Sequence, residues 1–228
     1  EMTIYPGNLE RGNIKAQIIV GGNIVQTLNV EVGTADLTVR GTTNAEVTTG
    51  VVSDESDVAD TTQAVSDGTG CTVTAVAPAG TAYYINNSLV SVDPDNVSLL
   101  TDAVVDAAVL QDYIIENDIA GSGDNYVYRY LDLVDGTNGR TWITATNPIA
   151  VYWKLPNGTD GTEDFRIVHF QGLDREYDNH DEQLAENEPE VYSIGSGLEV
   201  VEIDGEKYLK FSVGSFSPFV LVWSGGDT

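Results

Sequence analysis

From Tyr126 to Trp223 the apolar residues come only in short blocks: YVYRYLDLV, RTWITA, AVYWKLP, FRIVHF, LEVVEI, KYLKFSV and FVLVW. Each block is closed by Gly, Asn, Asp or Pro, the residues that build turns. Blocks of this size and punctuation leave antiparallel strands as almost the only way to bury a core. Side chains alternate along a strand, so Leu209, Phe211 and Val213 are expected to face a core while Tyr208, Lys210 and Ser212 face water. Asp204-Gly205 has the chemistry of a two-residue hairpin turn. FVLVW is apolar on both faces, which predicts a central strand with Pro218 tolerated only at its start. Roughly seven strands in about a hundred residues match the immunoglobulin-like sandwich, and Trp142 is expected to be its buried tryptophan.

The first half carries strand signal too. NIKAQIIV and NIVQTLNVEV alternate around Gly21-Gly22, which predicts a hairpin with Ile14, Ala16, Ile18 and Val20 on one face. ADLTVRG and CTVTAVA read as further short strands, and residues 42–70 as edge strands and loops. One segment breaks the alternation. VSLLTDAVVDAAVLQDYIIENDIA has apolar residues at three- and four-residue spacing, which predicts one helix over about 97–119. Its buried face would hold Leu100, Val104, Ala107 or Ala108, Val109 or Leu110, and Ile114; Asn96 or Ser98 would cap its start, and Gly121 and Gly123 end it. The expected fold is therefore mainly β. It has two β-rich units, residues 1–122 and 123–228, the second an immunoglobulin-like β-sandwich, joined by that single α-helix.

Composition narrows the partners. The 228 residues include 36 acidic and 10 basic side chains, a net charge of −26. Such a field repels nucleic acid and anionic lipid, so neither is expected as a partner. Cys71 is the single cysteine, so no internal disulfide can form. No apolar run reaches the ~18 residues of a membrane span, and no membrane insertion is expected. An acidic, disulfide-free β chain with two histidines suits an exported bacterial protein better than a cytosolic enzyme. Neither end carries a signal peptide or sorting signal, so the chain is expected to be a piece of a longer protein.

Several of the blocks are also similar to a known family. YRYLDLVDGTNGRTWITA, VYWKLPNGTDG, FRIVHFQGLDRE and LKFSVGSFSPFVLVW resemble, in order and spacing, the β-sandwich modules of sortase-anchored surface proteins of Gram-positive gut Firmicutes. The opening EMTIYPGNLE looks like the start of the same unit. Lys154 and Leu155 depart from the pattern, standing where those modules tend to have Pro-Tyr. The resemblance implies an extracellular, cell-wall-attached module of a stalk or adhesin, without a catalytic motif. Its partners would be host or dietary glycan or another surface protein, with self-association through strand edges as a further route.

Four kinds of chemistry can be weighed on the residues. Exposed aromatics could stack on sugar rings, as small β modules do, and Tyr83, Tyr84, Tyr152 and Trp153 are the candidate glycan-binding residues. Tyr126, Tyr128, Tyr130 and Trp142 are further aromatics of that kind, and core packing competes for all of them. Oxygen-rich turns could take calcium, with Asp160, Glu163 and Asp164 as ligands, although hairpin turns use the same residues for their backbone geometry. Asp132, Asp135 and Asn138 form a second such turn. His180 sits among acids in DREYDNHDE, where solvation outweighs a metal; His169 alternates with Ile167 in a strand and reads as a structural residue. Lys15, Lys154, Lys207 and Lys210 are the only lysines for an isopeptide crosslink; Lys15 and Lys210 fall on the outward faces of their strands and Lys207 in a turn, so no crosslink is expected. No nucleophile–base motif stands out, and the chain is expected not to be an enzyme.

Overall fold

Two hairpins and one central strand form as their local chemistry requires. The computed structural model describes residues 12–20, 23–32, 46–49, 64–86, 88–104, 107–137, 141–173, 183–185 and 187–225. β1 (Gly12–Val20) and β2 (Asn23–Val32) pair antiparallel with Val20 opposite Asn23, and they make a two-stranded sheet of their own. β14 (Gly197–Ile203) and β15 (Glu206–Val213) are joined through Asp204 and Gly205, whose φ angles are 51° and 83°. Two successive positive φ values are the signature of the tight turn that matches strand twist. β16 (Pro218–Ser224) is hydrogen-bonded on both edges, to β12 (Asp164–His169) and to β9 (Asn125–Asp135).

The remaining strands complete one curled sheet. They are β3 (Glu46–Thr49), β4 (Val65–Ser66), β5 (Thr72–Val76), β6 (Tyr83–Ile85), β7 (Ser91–Val92), β8 (Val97–Asp102), β10 (Thr141–Ala145), β11 (Ile149–Lys154) and β13 (Glu190–Ile194). Among the described residues the sheet has 14 strands, running β4-β5-β11-β15-β14-β13-β12-β16-β9-β10-β6-β7, with β8 also on β9 and β3 on β8. Every pair is antiparallel except β13 with β14. Only Gly195 and Ser196 separate those two strands, and there the chain passes from one limb of the sheet to the other. Gly197 opens β14 at φ 78°, and a Cβ there would meet Tyr192 Cδ1 at 2.9 Å.

One apolar cluster fills the space between the limbs. Val73, Val151, Trp153, Leu209 and Phe211 enter it from β5, β11 and β15; Leu99, Leu131, Phe165, Ile167, Phe219 and Leu221 come from β8, β9, β12 and β16. A second cluster lies on the other face of β12 and β16, where Val168, Val220 and Val222 meet Leu110 and Ile114 of α1 (Ala107–Glu116). β16 thus buries both of its faces, which explains why FVLVW has no polar side.

Several sequence expectations need correction. The helix is shorter than 97–119, because Val97–Asp102 forms β8, inserted between β3 and β9. The expected division at residue 122 is crossed by hydrogen-bonded strands in the described residues. β5 is hydrogen-bonded to β11, β6 to β10 and β8 to β9, so strands on both sides of that boundary share one sheet. Eight strands, β9 to β16, follow residue 123. Tyr208 does not face water; with Tyr152 and Val76 it forms a small buried cluster on the outer face of its limb. ADLTVRG, EMTIYPGNLE, Asn138 and His180 lie outside the described residues.

Candidate functional site

Trp142 and Trp153 exchange the roles expected of them. Trp153 is 0% exposed in the main core, and its indole N–H donates to Asp67 Oδ2 at 3.0 Å. The other oxygen of buried Asp67 accepts from the Thr69 backbone at 2.8 Å, the Thr69 hydroxyl at 2.7 Å and the Cys71 backbone at 3.2 Å. Trp142 is 37% exposed on β10, where Ile143 takes the inward position. The difference is readable on each strand: Trp153 shares its face with Ile149, Val151 and Leu155, whereas Trp142 shares its face with Thr144.

The expected stacking platform is not available. Tyr152 is 1% exposed, edge-on to the Tyr208 ring at 6.5 Å between centroids. Tyr83 is buried in the main core, and Tyr84 is half-buried on the opposite face of β6. Together with buried Trp153, these rings present no open flat surface to a sugar. Tyr126 and Tyr128 stack in parallel at 6.0 Å against the α1 side of the sheet, and burial pushes the Tyr128 phenol up to about 12.

The acidic turn is occupied by its own backbone. Asp160 Oδ1 accepts from the Thr162 N–H at 2.9 Å and hydroxyl at 2.6 Å, which holds its carboxyl below the usual range. Glu163 accepts from the Asp160 and Gly161 N–H groups at 3.1 and 2.9 Å, while Asp164 is paired with Arg166. Asp160, Glu163 and Asp164 therefore point into separate contacts. Among the described residues no three His, Cys, Asp or Glu side chains gather as metal ligands would. Asp135 likewise closes its own turn onto Thr137. Lys154 is held by Glu206 at 2.8 Å, Lys207 Nζ donates to the Asp160 carbonyl at 2.7 Å, and Lys210 lies over the Tyr152 ring at 5.3 Å.

The structure brings a different set of residues together. A cleft of about 320 Å³ opens beside Trp142, between the β9–β10 end of the sheet and the β15–β16 link. Trp142, Thr144, Asn86, Ser215, Phe216 and buried Asp132 are among the residues that line it. The Asn86 N–H donates to the Trp142 carbonyl at 3.0 Å, and the Thr144 hydroxyl bonds Asn86 Oδ1 at 2.5 Å. These two bonds fix Asn86 against the strand that carries Trp142. Asp132 Oδ1 accepts from the Leu133 N–H at 2.8 Å, and the Tyr130 hydroxyl lies 3.4 Å from Oδ2.

Ser217, on the cleft lining, meets buried His169 with Oγ and Nε2 2.7 Å apart. Distance alone would suit a nucleophile and its base. However, burial lowers the imidazole to about 4, which makes it a weak proton acceptor near neutral pH. Its Nδ1 has no partner among the described residues, and its ring stacks flat on Phe219 at 4.2 Å. The pair ties β12 to the entry of β16.

No family model, curated protein or solved structure matches this chain.

Proposed function

We propose that the chain is a non-catalytic structural or adhesive module of a bacterial cell-surface protein, extracellular and attached to a Gram-positive cell wall. The observation that carries this reading is the placement of β16. That strand is bonded to β9 and β12 on its two edges and packed against separate apolar clusters on its two faces. Pulling it out breaks two ladders and two cores together, which suits a module that bears load without a disulfide. The −26 charge fits a solvated outer surface, and the sequence resemblance points the same way. The immunoglobulin-like sandwich belongs to this proposal as its finer fold reading, supported by opposed limbs that share one core around Trp153.

Of the partners considered, a ligand taken up from solution and edge pairing both stay within the proposal. The long sheet path ends in β4 and β7, each of two residues, and edges so short resist strand addition, whereas β1 and β2, of nine and ten residues, pair among the described residues only with each other. Calcium remains outside the proposal, because the turn carboxylates already satisfy backbone donors. The test is localisation. Antibody to the chain should label intact cells of the source bacterium, and the label should fall when sortase is deleted. Recovery of the antigen in the cytosol alone would overturn the reading.

A further inference from the structure

We infer that the cleft beside Trp142 is a binding site for a neutral saccharide; this supplies the proposed adhesive module with its ligand and rests on that reading. The first argument is the ring itself. An indole left 37% exposed, on a strand whose next residue is buried, offers an apolar face on the cleft lining. Sugar C–H bonds pack on such a face, and the indole N–H makes no hydrogen bond to any described residue. The second argument is Asn86. Its oxygen is occupied by Thr144 and its backbone by Trp142, so the side-chain N–H₂ is the group left to donate into the cleft. A stacking face with a fixed amide beside it matches a ring that is apolar on one side and hydroxyl-bearing at its edge.

Charge and size exclude the neighbouring ligand classes. A chain of net charge −26 disfavours phosphates, sulfated or sialylated sugars and uronic acids. A cationic ligand would want several open carboxylates, whereas Asp132 is the one acidic residue among those described on the cleft lining and is 7% exposed. A volume of about 320 Å³ is at the small end of ligand pockets and suits one or two pyranose rings.

Intrinsic fluorescence and NMR titrations with N-acetyllactosamine, maltotriose and cellotriose test the assignment, with 3′-sialyllactose as the anionic comparison. Trp142 is the most exposed of the three tryptophans, so saturable binding should shift and quench its emission. At least one neutral probe should bind, and 3′-sialyllactose more weakly. Trp142→Ala should weaken binding roughly ten-fold or more, and Trp142→Phe less. Asn86→Ala tests the amide without touching the ring and should also weaken binding. Leu89→Ser alters a 94% exposed residue outside the cleft and should leave binding unchanged. The inference is overturned if no neutral probe saturates, or if Trp142→Ala and Asn86→Ala both bind as the parent does. It is overturned equally if Trp142→Ala abolishes a concentration-dependent dimer, which would assign the ring to a second copy of the chain. Failure here with intact surface labelling would remove the saccharide and leave the surface module standing.

Discussion

Single side chains decide which parts of the strand pattern are stable. Asp67 has one carboxylate oxygen on the Trp153 indole and the other on three donors at Thr69 and Cys71. Asp67→Ala would strand a buried indole N–H and release the turn, and we expect a loss of about 2–4 kcal/mol in urea unfolding. Unchanged stability would mean that water replaces the carboxylate. His169 supplies a second, pH-dependent test. Its folded imidazole titrates near 4, whereas an unfolded histidine titrates near the ordinary 6.5. The unfolded chain therefore binds the proton first as pH falls, and stability drops progressively between those values. The full difference corresponds to about 3 kcal/mol. Carboxylates also titrate over part of this window, so the readout is the urea midpoint of the parent against His169→Phe between pH 7 and 4. The variant should show the shallower fall, and parallel curves would contradict the buried neutral imidazole. The role of His169 could be read from its alternation with Ile167. Its partner Ser217 could not, because residues 48 apart in the chain meet only through sheet pairing.

At the level of elements, legibility depended on whether a strand shows a face to water. Leu209, Phe211 and Val213 alternate with side chains toward the outer face of β15, so their direction was plain from sequence. In β8 the residues from Val97 to Thr101 are all buried, and with both faces covered no period of two survives. The spacing of Leu100, Val104 and Leu110 then mimicked a helix across what is really a strand followed by a short helix. Turn glycines allow a graded test. Gly205 has positive φ and nothing within 4 Å of a built Cβ, so Gly205→Ala should cost about 1 kcal/mol through backbone strain alone. Gly197 has the same strain plus a contact of 2.9 Å with the Tyr192 ring, at the parallel corner between limbs. Gly197→Ala should therefore cost more, about 2–4 kcal/mol. Thermal unfolding of the two variants side by side decides it, and equal losses would mean that Tyr192 moves aside freely.

For the whole molecule, alternation told which way side chains point but not which strands pair. CTVTAVA was recognisable as a strand, yet nothing local placed it beside β11, some seventy-five residues on, since any apolar face fits any other. That is why a boundary near residue 122 looked reasonable and the interleaved sheet did not. The cleft was hidden for the same reason: Asn86, Asp132, Trp142 and Phe216 come from four separate chain segments that only the pairing brings together. Charge, by contrast, is a whole-molecule property that sequence states outright. With 36 acids against 10 bases, compaction forces like charges together, and folding must work against that repulsion. The described ion pairs of Lys154, Arg166 and Lys210 have partly exposed partners, so salt loses little by screening them. Screening of the repulsion should therefore dominate, and stability should rise with sodium chloride from low to physiological ionic strength. We expect about 1 kcal/mol, or roughly 2–4 °C in thermal unfolding for a chain of this length. Calcium should act in the same graded way at lower concentration, as a divalent counterion without a dedicated site. A sharp, saturable rise in Tm at stoichiometric calcium, reversed by chelator, would instead demand a true site. A fall in stability with sodium chloride would mean that attractive pairs outweigh the excess of negative charge.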